Sequence, residues 1–289
     1  MLDIKGFFDP ATATVTYLLA DKETGQAAII DPVLDYEPKA ARISTASINA
    51  VMAEAKARKL SIAYVLETHA HADHLSAGSH VREHTGAKIV IGAAITKVQA
   101  LFKTIFNAAD VKPDGSVFDV LVNDGDTLKL GETTIRVMHT PGHTPACVTY
   151  VADDAAFVGD TVFQPDYGTA RTDFPGGDAA TLYHSIRKIF ALPPATRVFT
   201  GHDYPPPSRK EPAWEASVAE HRATNIHIRD GISEAEFVAM RTGRDKTLAP
   251  PVLILPSLQV NIRAGAMPPP DTDGHIYLKL PVNRLGKGA

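Results

Sequence analysis

Cysteine occurs once in 289 residues, at Cys147, which excludes an intrachain disulfide and any disulfide-stapled scaffold. No run of about 18 apolar residues is present, so no segment reads as a membrane span. The opening stretch MLDIKGFFDPATATVTYLL has no basic region followed by an apolar core, and no secretory signal is expected from it. An excess of charge of either sign is missing too. Twenty-nine Lys and Arg against 33 Asp and Glu leave a formal charge of −4, which gives no reason to expect nucleic acid or an anionic membrane as partner. A reducing compartment, the cytoplasm, is the expected location. What remains is an ordinary globular composition, 44% hydrophobic and 21% charged, in a chain long enough to bury a substantial core.

Along the chain, short β-rich runs alternate with amphipathic stretches. Thr14–Leu19 and Gln26–Ile30 read as strands around a turn at Asp21–Gly25, and Ser61–Leu66 as a short apolar strand. Ile48, Val51, Met52 and Ala55 recur at helical spacing within 44–60, with Ser44 or Ser47 as candidate cap. Ser76–Thr85 reads as a helix stopped by Gly86, and Lys88–Ile91 as a strand. Residues 93–122 read as helix followed by polar loop. Thr127–Leu130 and Thr133–Met138 predict strands, Ala180–Leu192 a helix, Arg197–Thr200 a strand, Ser233–Glu236 a capping box, and Ile276–Leu280 a last strand. Such mixing predicts an α/β architecture. TYLLADKETGQAAIIDPV (16–33) resembles TYVADDAAFVGDTV (149–162), each a hairpin that delivers an Asp, which suggests two related halves. A single domain over 1–289, with a C-terminal extension from about 205, is expected.

The chemistry concentrates in His69-Ala-His71-Ala-Asp73-His74, directly after the Ser61–Leu66 strand. Residues two apart in extended backbone face the same way, so His69 and His71 face one centre. Imidazole with carboxylate suits zinc, iron and manganese. His143 in TPGH, Asp160 in FVGD and His202 in VFTGH each follow a strand as well. Each alone is bland, but α/β folds place their sites at strand C-termini. Four ligand-bearing strand ends point to one metal site. Cys147, within the apolar run Ala146–Val151, reads as a buried, inert thiol.

HAHADH, TPGH, VGD and GHD together resemble the metal motifs of the metallo-β-lactamase superfamily, in the family's order, and Asp31 matches its early structural Asp. The resemblance covers about 14–204 and implies an αββα sandwich, two mixed sheets flanked by helices, with the metal site at one edge. In two-metal members it implies His69, His71 and His143 for one ion, and Asp73, His74 and His202 for the other, with Asp160 bridging.

A finer similarity is to the persulfide dioxygenases: Arg171-Thr-Asp173-Phe174, Leu182-Tyr-His-Ser-Ile186 and GHDY look like theirs. The segments HIRDG and LPSLQVNIRAG are similar to bacterial β-lactamase-like hydrolases. The dioxygenase resemblance implies one Fe(II) per chain on His69, His143 and Asp160, with His71, Asp73, His74 and His202 orienting ligands from behind. Its partners would be glutathione persulfide, or another low-molecular-weight thiol persulfide, and O2, giving sulfite and the thiol; a homodimer is compatible with it. Tyr204 and Asp203 are then the expected catalytic pair, Arg171 a substrate holder braced by Asp173, and Arg229 and Arg263 candidate carboxylate holders. The competing expectation is a hydrolase of the glyoxalase II or lactonase type with two Zn(II), where the metals activate a water. A non-catalytic metal-stabilised protein would be expected to have lost ligands, and none is missing.

Overall fold

The computed structural model describes residues 2–285; residue 1 and residues 286–289 of the expected domain lie outside that range. The chain opens with β1 (Leu2–Asp9), β2 (Thr14–Asp21), β3 (Gln26–Ile30), β4 (Val33–Glu37) and β5 (Arg42–Ser44). Next come α1 (Ala46–Ala57), β6 (Ser61–Leu66), β7 (Leu75–Ser76), α2 (Gly78–Thr85), β8 (Lys88–Gly92), α3 (Ile95–Phe106) and β9 (Val120–Val122). The later part holds β10 (Thr127–Leu130), β11 (Thr133–His139), β12 (Val148–Ala152), β13 (Ala155–Gly159), α4 (Ala179–Phe190), β14 (Arg197–Thr200) and β15 (Glu215–Ser217). It closes with α5 (Val218–Thr224), α6 (Glu234–Asp245) and α7 (Ile254–Asn261).

Two six-stranded sheets result, ordered β1-β2-β3-β6-β8-β9 and β10-β11-β12-β13-β14-β15, with a small sheet β5-β4-β7 beside them. The layering follows from strand alternation. In β2, Val15, Tyr17 and Leu19 face the second sheet, where they meet Val137, Tyr150 and Phe157. Leu18 and Ala20 face the other way, into a core with Ile48 and Val51 of α1, Val81 of α2 and Phe102 of α3. Beyond the second sheet, Val151, Ala156 and Val198 pack on Leu182 and Ile186 of α4 and Phe237 of α6. Strands buried on both faces read as continuous apolar runs rather than alternating ones. The order is helix, sheet, sheet, helix, as expected.

The two hairpins that resemble each other in sequence occupy matching places. β2–β3 is antiparallel with β6 added in parallel to β3, and β12–β13 is antiparallel with β14 added in parallel to β13. The C-terminal ends of β6, β13 and β14 meet at one edge. Tyr17 donates from β2 to the Thr200 carbonyl, 2.5 Å, and Tyr150 from β12 to the Glu67 carbonyl, 3.0 Å. Two buried phenols thus tie each sheet to the ligand-bearing end of the other.

Some elements differ from the sequence reading. Ile276–Leu280 forms no strand. The side chain of Gln259 takes both backbone groups of Lys279, accepting from its N–H at 2.8 Å and donating to its carbonyl at 3.0 Å, so a side chain replaces a neighbouring strand. Neither Ser44 nor Ser47 caps α1: Ser47 instead donates from its N–H and hydroxyl to Asp35 of β4. The 93–122 segment is α3, a loop and the added edge strand β9. Among the described residues no helix is long and apolar enough to cross a membrane.

Candidate metal centre

The loop after β6 carries His69, His71, Asp73 and His74; the loop after β11 carries His143; Asp160 follows β13 and His202 follows β14. Their convergence depends on tight backbone. Gly159 has φ of 51°, and a Cβ there would stand 2.3 Å from the Thr68 hydroxyl, so a larger residue would push the Asp160 turn off the first sheet. The ligand loop is pinned from three sides. Asp31, itself at φ 47°, accepts from Thr68 N–H at 2.7 Å and the Thr68 hydroxyl at 2.8 Å. The Val148 N–H donates to the Thr68 carbonyl at 2.9 Å. From α7, Asn261 donates to the carbonyls of His71 and His74, both at 2.8 Å, and accepts from the Ser76 N–H at 2.7 Å.

His69 Nε2 lies 3.9 Å and His143 Nε2 3.8 Å from Asp160 Oδ2. On the other side His202 Nε2 lies 3.3 Å from Asp160 Oδ1 and 3.0 Å from Asp73 Oδ2. His69, His143 and Asp160 form one group whose ligand atoms lie within 4.8 Å of one another; His71, Asp73 and His202 form a second. First-row ions bind such atoms at about 2.0–2.2 Å, so atoms this far apart fit around a shared ion. His71 Nε2 faces away, 3.0 Å from Asp31, with Glu67 3.7 Å off.

The tautomers are set by backbone. His143 Nδ1–H donates to the Arg171 carbonyl at 2.8 Å, and His74 Nδ1–H to the Leu75 carbonyl at 3.1 Å. A carbonyl only accepts, so each leaves a lone pair on Nε2. Among the described residues eleven buried side-chain atoms lack a hydrogen-bond partner, and eight of them belong to Glu67, His69, His71, Asp73, His74, Asp160 and His202. An unsatisfied buried polar group costs about 1–3 kcal/mol. Several such groups in one place are a sizeable fraction of the net stability of a domain, about 5–15 kcal/mol. Cations would remove that cost, and the donor set fits them.

The proton affinities of the buried groups reflect the same conflict. Burial, then His71 nearby, brings His74 down to about 3, and burial holds His69 well below the ordinary imidazole range. Burial also opposes the charge of His71, but Asp31, Glu67 and Asp73 outweigh it and push His71 up to about 10. Burial pushes Glu67 up to about 7.

Next to His143 opens a cavity of about 800 Å³, lined also by Ala72, Arg171, Phe174 and the 246–251 segment. Arg171 is not free there: Nε and Nη2 donate to Asp173 at 2.5 and 2.7 Å, and Nη1 to the Ala249 carbonyl at 2.7 Å. Tyr204 stacks on His202, ring centroids 5.6 Å apart. Burial with Asp73 and Asp160 nearby holds its phenol well above the usual range, so it remains a donor.

Asp203 turns from the cluster. Both its oxygens accept from Arg209 at 2.6 Å, and Oδ2 also accepts from the Ala213 N–H at 2.7 Å. With both oxygens so occupied, Asp203 braces the loop after β14. Arg263 is buried and spends its guanidinium on Asp110, at 2.8 Å twice, tying α7 to the loop after α3. Arg229 is exposed and does not line the cavity. Neither holds a substrate carboxylate in this arrangement. Cys147 is buried, contacts Thr144 at 3.1 and 3.3 Å, and burial pushes its thiol up to about 12.

Sequence reasoning missed Asn261, as well as Asp245 and Arg241 of α6. Asp245 accepts from Thr172 N–H and hydroxyl, both at 2.8 Å, and is held by buried Arg241 at 2.7 Å. This fixes the 169–173 loop whose Arg171 carbonyl orients His143. No local pattern announces any of them.

A two-sheet sandwich with helices on both outer faces, and histidines with aspartates gathered at one edge, defines a metal-dependent class of protein. The chain belongs to the metallo-beta-lactamase superfamily, whose family model matches residues 9–202. It is 52% identical to a probable metallo-hydrolase of Burkholderia pseudomallei over 98% of this chain and all of that protein. It is 45% identical to glyoxylase B2 of Dictyostelium discoideum, over 98% of this chain and 97% of that one. The human mitochondrial persulfide dioxygenase ETHE1 is 31% identical over 92% of this chain and 90% of its own length. Among solved structures, ETHE1 from Myxococcus xanthus superposes with a TM-score of 0.73 at 30% identity, over 91% of this chain and 100% of that one. Fold, family and donor set support an enzyme of this superfamily with a metal cofactor.

Proposed function

We propose that this protein is a persulfide dioxygenase, oxidising a low-molecular-weight persulfide, glutathione persulfide being the first to test, with O2 to sulfite and the free thiol. The observation that carries this reading is that His69, His143 and Asp160 share one centre beside the cavity that reaches His143. Two histidines and one carboxylate leave positions open for substrate and O2. The persulfide dioxygenase relatives support it.

The balance is RSSH + O2 + H2O → RSH + H2SO3. The sulfane sulfur loses four electrons to O2, the S–S bond breaks, and the thiolate leaving group takes a proton. Fe(II), which His69, His143 and Asp160 would hold, would supply the one-electron chemistry that O2 needs to react with closed-shell sulfur. The remaining work falls to the chain. The cavity holds the organic tail beside His143. The Arg171 carbonyl keeps His143 in the right tautomer, and the guanidinium, clamped on Asp173 and Ala249, shapes the substrate wall. Tyr204 donates a hydrogen bond to the reacting sulfur or oxygen, and Asp203 holds the GHDY loop in place through Arg209.

A second reading has its own observation. Asp160 presents Oδ2 to His69 and His143 and Oδ1 to His202, the posture of a carboxylate bridging two ions, and all seven ligand residues are present. Two Zn(II) would then lower the pKa of a water for thioester or lactone hydrolysis, and the glyoxylase B2 relative favours it. Metal analysis of protein purified without added metal, with O2 uptake on glutathione persulfide, tests the choice. About one iron per chain with O2 consumption supports the dioxygenase. Two zincs with thioester cleavage and no O2 uptake would overturn it.

A further inference from the structure

Outside the metal centre, α2 carries another pair of histidines. Gly78, Ser79 and Val81 are the buried residues of this helix, and Val81 packs into the core. His80 and His84 stand four residues apart on its outer side, the first half-buried and the second exposed. Neither lines the cavity beside His143. Two histidines at this spacing on one helix face can close on a single zinc ion.

The side chains are already set for that. The ring centroids of His80 and His84 lie 4.1 Å apart, close to the 4.0 Å between His69 and His71 in the metal centre. His84 Nδ1–H donates to the His80 carbonyl at 2.8 Å, which leaves a lone pair on Nε2. A third donor comes from α1. Asn49 gives its amide N–H to the Thr45 hydroxyl at 2.9 Å, and its side-chain oxygen stands 3.2 Å from His80 Nε2. Ligand atoms about 2.0–2.2 Å from one ion lie about 2.8–3.6 Å apart at octahedral and tetrahedral angles. The His80–Asn49 separation falls in that range. Binding would move the His80 proton from Nε2 to Nδ1, a change of tautomer that leaves the ring neutral. The charges around the pair suit a cation as well. Glu83 is exposed next to His84, and Arg82 is paired with Asp119 at 3.5 Å.

We propose that His80, His84 and Asn49 form a separate surface site for one divalent first-row cation, Zn(II) being the probe, with water completing its coordination. The ion would clasp α2 to α1. This goes beyond the reaction proposed above and holds whether the cluster carries one iron or two zincs. It also bears on metal counting, because protein exposed to zinc would carry about one equivalent more than its cluster holds.

The test is calorimetric titration of the metal-loaded protein with Zn(II), comparing wild type with His80→Gln, His84→Gln and Asn49→Ala. Wild type should take up about one equivalent that either histidine variant binds at least tenfold more weakly, since losing even a group that only supports a ligand costs about that much. Asn49→Ala should weaken it by a smaller factor. Saturating Zn(II) should raise the Tm of wild type more than that of His84→Gln, an exposed position where the change leaves the fold intact. The catalytic activity of the metal-loaded protein should be the same in all four. Equal zinc stoichiometry and affinity in wild type and both histidine variants would overturn the proposal, and so would an equal Tm shift. Loss of activity in step with the extra equivalent would overturn it too, by placing that ion at the cluster.

Discussion

Asn261 offers the sharpest test of how the C-terminal helix serves the metal loop. Its amide makes three buried hydrogen bonds to residues 185 to 190 positions away, two donated to the carbonyls of His71 and His74 and one accepted from Ser76. Asn261→Ala would leave two buried carbonyls and one N–H unpaired. At about 1–3 kcal/mol each, and with water entering the vacated space, the loss should be on the order of 4 kcal/mol. For a chain of this length, with an unfolding entropy near 2.1 cal/mol/K per residue, that lowers Tm by about 7 °C. Because the carbonyls belong to two candidate ligands, metal affinity should fall about 10- to 100-fold as well. Circular-dichroism melting of chelated protein and metal retention against a graded chelator measure the two effects separately. Asn261→Asp keeps the acceptor for Ser76 but sets an anion against both carbonyls, and should be no better than alanine. Alanine protein that melts within a degree or two of wild type, and resists the chelator equally, would refute the claim that α7 holds the site.

Asp160→Ala should strip metal and activity together, since this carboxylate faces both groups of ligands; metal content by mass spectrometry checks it, and full retention would contradict a shared centre. His71→Ala should leave iron bound under the mononuclear reading and remove one zinc under the dinuclear one, so the same measurement separates the two. His221 and His227, both buried and away from the metal loop, are brought down to about 4, by burial in each case and for His227 also by Arg241 and Arg244. Their unfolded value is near 6.5, so between pH 6.5 and 4 the unfolded state binds more protons and stability falls with pH. His221 contributes on the order of 3 kcal/mol, fully present above pH 6.5 and lost by pH 4, and the less deeply buried His227 contributes less because solvent screens it. Denaturant unfolding at pH 7 and pH 5 should show the drop, and His227→Gln should reduce it. Cys147→Ala should keep activity, and iodoacetamide should leave the native thiol unlabelled; rapid labelling would place that sulfur in contact with solvent.

The sequence alone carried the local grammar. HAHADH directly after Ser61–Leu66, and single ligands behind three other strands, were legible because ligands two apart on extended backbone and turns at strand ends are short-range patterns. The matching hairpins at 16–33 and 149–162 were legible for the same reason. Tertiary structure decided what depends on residues far apart in the chain. Asp203 and Arg263 look free in sequence, but one is spent on Arg209 and the other on Asp110. Ile276–Leu280 has the composition of a strand, yet it meets a glutamine side chain instead of a neighbouring strand. Asn261 and the Arg241–Asp245 pair carry no motif, and they hold the metal loop and the His143 loop only because α7 and α6 fold back across the sandwich. A hydrogen bond has a geometry but no sequence signature when its partners lie 190 residues apart, and the cavity wall from 246 to 254 exists only once that return has been made.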